Sequence, residues 1–212
     1  GYGVIGMKFK IGGATPEEDL ERLQVARGVV GADFRFMVDA NQGYDLQQAL
    51  RFCRLAQDAG IALEWFEEPV RWYNDKRWLR DVRLATGIPV TAGQSEYTLN
   101  GVRDLMTEGS IDVCNFDASW GGGPTIWRRA AAMGAAFGIM MGHHEEAQIS
   151  SHLLCGIAHG TYVECFHKDR DPLFWDIQTE ARPIKDGLFS LSDRPGFGLL
   201  LDREYIKRYK VA

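Results

Sequence analysis

Glu67 and Glu68 stand out first, because the apolar pair Trp65-Phe66 leads into them and Pro69 follows directly. Ala62 to Phe66 reads as a short inward-packed strand, stopped where Pro69 lacks an N–H for the ladder, so Glu67 falls at a strand's C-terminal tip. The same shape recurs along the chain. Lys10 follows VIGMKF, Asp39 follows FRFMV, Gln94 follows IPVTAG, Asp117 follows VCNF, His144 ends GIMMGHH and Glu164 follows TYV. Asp39 and Glu67 close successive runs, a placement that lets two carboxylates share a hard cation, for which Mg²⁺ is the natural candidate. Lys8 and Lys10 fall on one side of the strand Val4 to Lys10, because side chains alternate along a strand. Asp117 and His144 end neighbouring runs, where a carboxylate can fix an imidazole's tautomer and support its cation, making a general acid/base. His143 competes with His144 for that role, since alternation says only that the two rings point opposite ways.

The elements needed to hold these tips are repeated βα units. Seven apolar runs, separated by segments long enough for a helix and two loops, predict an α/β fold of the TIM-type (β/α)-barrel kind with its site on the C-terminal face. Thr15-Pro16-Glu17-Glu18 starts a helix as N-cap, first helical proline and capping box, with Leu20, Leu23 and Val29 facing inward. Asp45 caps a helix from Leu46 to Asp58 whose stripe is Ala49, Cys53 and Ala56, and Gly60 ends it. Thr98 or Asn100 caps the helix carrying Val102, Leu105 and Met106. Ala130 to Phe137 suits close packing on a strand, and Ile149 to Ala158 forms the last helix before the run Thr161 to Glu164. Arg71 to Asp75 reads as a polar, aromatic loop. Gly121-Gly122-Gly123-Pro124 lacks both phosphate-loop signatures and is read as a turn into a helix.

Composition removes several functions. The chain has 212 residues against the roughly 250 usual for an eight-stranded barrel, starts at Gly1-Tyr2-Gly3, and offers seven tips where eight are needed. It therefore reads as the C-terminal part of a longer protein, with residues 1–190 as a barrel domain of seven strand units and 191–212 as a tail packing on the barrel or on a further domain. A net charge of −5 with 24 basic residues thinly spread gives no cationic stripe for nucleic acid. No apolar run reaches the roughly 20 residues that span a bilayer, and no leader precedes the first strand, so the expectation is a cytoplasmic protein without a membrane partner. Cys53, Cys114, Cys155 and Cys165 have neither metal-ligand nor disulfide spacing and are expected to be buried thiols.

Taken in order, Lys8-x-Lys10, Asp39, Glu67-Glu68-Pro69, Gly93-Gln94, Asp117, His144 and Glu164 resemble the barrel domain of the enolase superfamily in its mandelate racemase-like branch, over almost the whole chain. The resemblance implies that Lys10 is a base, with Lys8 beside it, and that Asp39, Glu67 and Gln94 hold Mg²⁺. It also implies that Asp117 and His144 form the opposing dyad and that Glu164 hydrogen-bonds the substrate. It accounts for the short length by an absent first strand and an absent N-terminal α+β capping domain, and it implies a homo-oligomer acting on a small molecule. Gln94 departs from the branch, whose third ligand is normally a carboxylate, so Glu96 is the alternative ligand or else a substrate contact.

The resulting expectation is a Mg²⁺-dependent lyase that dehydrates a sugar acid, an aldonate or aldarate, to a 2-keto-3-deoxy acid through α-proton abstraction. Asn41, Glu96 and His143 are expected among its substrate contacts, and the polar rim, with Gln42, Glu145, Glu146 and His167, suits a polyhydroxylated acid. Two other functions use the same residues: a racemase or epimerase of a 2-hydroxy acid, and a non-catalytic barrel that binds a sugar acid.

Overall fold

The computed structural model describes residues 2–73, 76–182 and 184–211. Six strands, β1 (Gly6–Lys10), β2 (Arg35–Asp39), β3 (Leu63–Glu67), β4 (Val90–Ala92), β5 (Val113–Cys114) and β6 (Met140–Met141), form one sheet. They lie side by side in sequence order, and every pair is parallel. A helix crosses over after each strand: α1 (Pro16–Val30), α2 (Leu46–Asp58), α3 (Arg77–Thr86), α4 (Leu99–Thr107), α5 (Pro124–Phe137) and α6 (Ala147–Cys155). Repeated parallel βα units wound in one direction are the barrel architecture expected.

Local chemistry explains several boundaries. Thr15 and Glu18 make the full capping box at α1, and Asp45 makes one with Gln48 at α2. Thr98, and not Asn100, caps α4 by accepting the Gly101 N–H. The helix α3 was not anticipated: its N-cap position, Lys76, makes no side-chain cap, and only Leu79 and Val82 of the helix are buried. The expected loop from Arg71 to Asp75 ends in Asn74 and Asp75, which lie outside the described residues.

Three expectations need correction. Val29 is exposed, because it lies six residues beyond the buried Leu23 and so roughly 120° round the helix from it. The run after α6 makes only a single parallel bridge, Met141 to Gly160, flanked by hydrogen bonds between Met141 and residues 159 and 161, so Thr161 to Glu164 follows the sheet edge without becoming a strand. Of the four thiols, all free, Cys53 and Cys114 are buried, Cys165 is half-buried and Cys155 is exposed at the end of α6.

The core lies between the outer face of the sheet and the helices. Phe36, Val38, Phe66, Val90, Ala92, Cys114 and Met141 meet Leu23, Phe52, Leu79, Val82, Leu105 and Trp127 there. Because alternate residues face opposite ways, packing these side chains outward turns their neighbours into the sheet's concave side. The register then aligns Lys10 with Asp39, Asp39 with Glu67, and Glu67 with Thr91, one row of polar residues across four adjacent strands. After residue 164 the βα rhythm stops. Helix α7 (Pro172–Asp176), the hairpin β7 (Ile184–Lys185) with β8 (Leu188–Phe189), and α8 (Arg203–Tyr209) follow. Tyr2 stacks on Trp175, and the Arg182 guanidinium donates to the Gln148 carbonyl of α6 at 2.6 Å, so the segment after residue 164 touches both the start of the chain and α6.

Candidate active site

Lys10, Asp39 and Glu67 of the polar row are joined through Lys8 into one network. Lys10 Nζ donates to Asp39 Oδ2 at 2.5 Å and to Asn41 Oδ1 at 2.7 Å. Lys8 Nζ donates to Glu67 Oε1 at 2.9 Å, pairs with Glu164 Oε1 at 2.5 Å, and lies 3.5 Å from Asp39 Oδ2. The two lysines share a strand face but not an environment: the Lys8 side chain is 12% exposed and the Lys10 side chain 52%. Burial disfavours the Lys8 ammonium, yet Glu67, Glu164 and Asp39 together outweigh it and hold the pKa above the usual lysine value. Lys8 is therefore a fixed cation at the heart of the site, while Lys10 stands at its mouth.

Glu67 is buried, and desolvation pushes its carboxyl up to about 8, against the opposing pull of Lys8. Glu68 is buried beside it and is likewise pushed up, to about 7, by desolvation, while accepting a hydrogen bond from Ser95 Oγ at 2.9 Å. Gln94 reaches the same region through Gly93, whose φ of 141° and close approach to Phe116 N, 3.0 Å from where a Cβ would sit, leave no room for a side chain. Gln94 Oε1 is buried and has no hydrogen-bond partner. An unpartnered buried amide oxygen, on a residue that Asn115 ties to the buried Glu67, beside an acid that desolvation and the nearby Asp39 charge hold above its ordinary range, makes a donor set suited to a hard cation. Asp39, Glu67 and Gln94 therefore fit Mg²⁺. Glu96 is engaged elsewhere: its Oε1 accepts from Trp72 Nε1 at 3.1 Å and pairs with Lys76. It walls a cavity of about 300 Å³ with Gln42, Trp72, Tyr73, Lys76 and Ser95. A larger hollow of about 410 Å³, bounded by residues such as Tyr44, Arg71 and Trp78, contains none of the tip residues.

Beyond β5 and β6, it is His144 and not His143 that meets Asp117. His144 Nδ1 is 2.9 Å from Asp117 Oδ2, which holds the proton on Nδ1 and leaves Nε2 facing Glu145 Oε1 at 3.4 Å. Burial opposes the imidazolium, but the hydrogen bond to Asp117, with Glu164 and Glu145 nearby, raises the His144 pKa above its ordinary value. For Asp117, burial acts upward and is outweighed by the hydrogen bonds from His144 and Ser119, so its carboxyl sits below the usual range. His143 is committed to the backbone: Nδ1 lies 2.7 Å from the His144 carbonyl and Nε2 accepts the Ala118 N–H at 3.0 Å. Burial lowers its pKa. Its ring, Asp117 and Glu146 place ligand atoms within 4.8 Å of one another, but with both ring nitrogens in use it offers no free atom to a cation or a substrate.

Glu164 joins the two halves. Its Oε1 meets Lys8, and its Oε2 accepts the Glu145 N–H at 2.9 Å. Asn41 is drawn in through Lys10, and its N–H donates to Asp39 Oδ1 at 2.8 Å. Asn115, Ser95 and Ser119 contact this network without having been anticipated. Each is an ordinary polar loop residue in sequence: Asn115 and Ser95 are marked only by their long-range partners Glu67 and Glu68, and Ser119 by Asp117 two residues before it and Glu146 27 residues after it. Asn41, Gln42, Glu68, Glu145 and Glu146 have positive φ, between 40° and 65°, all just beyond strand ends. Such conformations cost of order 1 kcal/mol or more each and gather where surrounding contacts impose them.

The chain matches the family described as enolase C-terminal domain-like over residues 1–205. It is 31% identical to an arabinonate dehydratase of Saccharolobus solfataricus, covering 98% of this chain and 56% of that protein. It is 29% identical to a 3,6-anhydro-alpha-L-galactonate cycloisomerase of Streptomyces coelicolor, covering 99% and 56%. A crystal structure of a mandelate racemase/muconate lactonizing enzyme from a marine actinobacterium, in complex with magnesium, is 50% identical and superposes with a TM-score of 0.92, covering 100% of this chain and 59% of that one. The chain thus spans little more than half the length of these relatives. With its parallel βα winding and its row of polar tips, the chain belongs to the enolase C-terminal domain-like family.

Proposed function

We propose that the protein of which this chain forms part is a Mg²⁺-dependent dehydratase of a polyhydroxylated sugar acid. The observation that carries the reading is the continuity of one polar network from Lys10 through Asp39, Lys8 and Glu164 to Glu145, next to the Asp117–His144 pair. Asp39, Glu67 and Gln94 would hold the ion, which when bound supplies Lewis-acid stabilisation of the charge developing on the substrate carboxylate. Lys10, half exposed at the mouth, takes the α-proton. His144 gives its Nε2 proton to the departing 3-hydroxyl, which leaves as water, and the enol product tautomerises to a 2-keto-3-deoxy acid. Asp117 steadies the imidazolium and holds its tautomer, and Lys8 keeps Glu67 and Glu164 in place as a fixed countercharge. Two of the relatives named above, an arabinonate dehydratase and a sugar-acid cycloisomerase, support this substrate class.

Racemisation or epimerisation of a 2-hydroxy acid is the second reading. It is favoured by Trp120, whose ring centroid lies 5.0 Å from that of His144 and could seat an apolar group beside the α-carbon. Incubating the full-length protein with Mg²⁺ and a panel of aldonates, aldarates and aryl hydroxy acids in D₂O separates the two. Dehydration predicts 2-keto-3-deoxy acid, and Lys10→Ala or His144→Asn should each stop at least one direction of α-proton exchange. Inverted substrate alone would replace the dehydratase reading with the racemase, and unchanged exchange in both variants would reject the assignment of base and acid.

A further inference from the structure

Asn115 directly follows β5 and is 5% exposed, a buried amide among the strand tips. Its Nδ2 donates to Glu67 Oε1 at 2.7 Å, and its Oδ1 accepts the Gln94 backbone N–H at 3.2 Å. Among the described residues it is the one side chain hydrogen-bonded to both of these positions. Glu67 Oε1 already accepts from Lys8 Nζ at 2.9 Å, so the lone pairs of that oxygen are occupied by Asn115 and Lys8, and Oε2 is the oxygen left for a ligand. On the other side, the Asn115 Oδ1 contact fixes the backbone at Gln94, the residue whose buried Oε1 has no partner. The side chain needs both an acceptor and a donor to do this. An aspartate would keep the acceptor but set a second carboxylate against Glu67, whereas an aliphatic residue would supply neither contact.

We infer that Asn115 is a positioning residue of the metal site, orienting Glu67 and Gln94 toward one cation from the tip of the neighbouring strand. The inference rests on the Mg²⁺ reading above. Partners that orient metal ligands through hydrogen bonds typically affect metal affinity by about 10- to 100-fold. The experiment is calorimetric titration of MgCl₂ alone into full-length, EDTA-stripped protein: wild type, Asn115→Leu, Asn115→Ser and the control Tyr44→Phe. Tyr44 donates a buried hydrogen bond of 2.7 Å to Asp19, and no hydrogen bond of its side chain to Asp39, Glu67, Gln94 or Asn115 is found among the described residues, so its variant reports the effect of losing a buried bond elsewhere. Both Asn115 variants should bind Mg²⁺ at least about tenfold more weakly, while Tyr44→Phe stays within about twofold of wild type. Wild type that takes up no Mg²⁺ would reject the metal reading itself. Wild type that binds, with both Asn115 variants within twofold of it, would overturn the positioning role alone. Should neither variant fold, wild-type crystals grown with and without MgCl₂ decide: both Asn115 hydrogen bonds persist in the Mg²⁺ form, and loss of either one overturns the inference.

Discussion

Gln94→Met should change sign with magnesium. Gln94 Oε1 is buried without a partner, and an unsatisfied buried acceptor costs about 1–3 kcal/mol. Methionine fills a similar volume with no strong acceptor, so in EDTA the variant should be more stable than wild type by about 1 kcal/mol, or ~2–4 °C in Tm for a unit of 150–250 residues. Adding Mg²⁺ should reverse the order. An ion at about 100 times its Kd stabilises the protein that binds it by about 2.7 kcal/mol. The variant, deprived of one of three protein ligands, should gain much less and fall below wild type. Differential scanning calorimetry of full-length protein, stripped with EDTA and then titrated with MgCl₂, gives both numbers. A variant that is destabilised in EDTA and yet gains as much from Mg²⁺ as wild type would show that Gln94 Oε1 is not a ligand and that its isolation has another cause.

Two further outcomes follow from the charges at the site. Because Asp117 raises the His144 pKa, the pair's stabilisation is full below the unfolded imidazole pKa of about 6.5 and fades as pH rises through the higher folded value; Asp117→Asn should therefore destabilise more at pH 5.5 than at pH 8.5, as measured by urea unfolding. A long-range ¹H–¹⁵N titration of the same variant should show the imidazole titrating lower than in wild type. Lys8→Met leaves the buried Glu67 and the partly exposed Glu164 without their ammonium and should cost about 3–5 kcal/mol near pH 8. The loss should shrink toward pH 5 as Glu67, whose carboxyl pKa is held high by burial, takes up its proton, and an equal loss at both pH values would mean that packing, not charge, is what Lys8 provides.

What was legible in the sequence was local. Thr15 with Glu18, and Asp45 ahead of α2, announce helix starts because a cap is a contact three residues long. The tips at Lys10, Asp39 and Glu67 were legible because an apolar run ending in a charge is itself a sequence pattern, and the register then aligned them across strands. The rest depended on distance along the chain. That His144 meets Asp117, 27 residues away, while backbone groups occupy both nitrogens of His143, could not be read from the adjacent pair in sequence. Asn115 looked like any polar loop residue until Glu67, 48 positions earlier, proved to be its partner. Glu96 was a plausible third ligand by spacing, but Trp72 and Lys76 hold it in the wall of the adjoining cavity. Helix α3 escaped notice because it starts without a capping side chain and buries only two residues.

The most direct measurement is a crystal structure of the full-length protein grown with Mg²⁺. The ion should bind Asp39, Glu67 and Gln94 Oε1 at about 2.0–2.2 Å, with Glu96 still paired to Lys76. Density for an ion that touches neither Asp39 nor Glu67, whether at Asp117 and Glu146 or elsewhere on the rim, would contradict the metal site and the chemistry built on it.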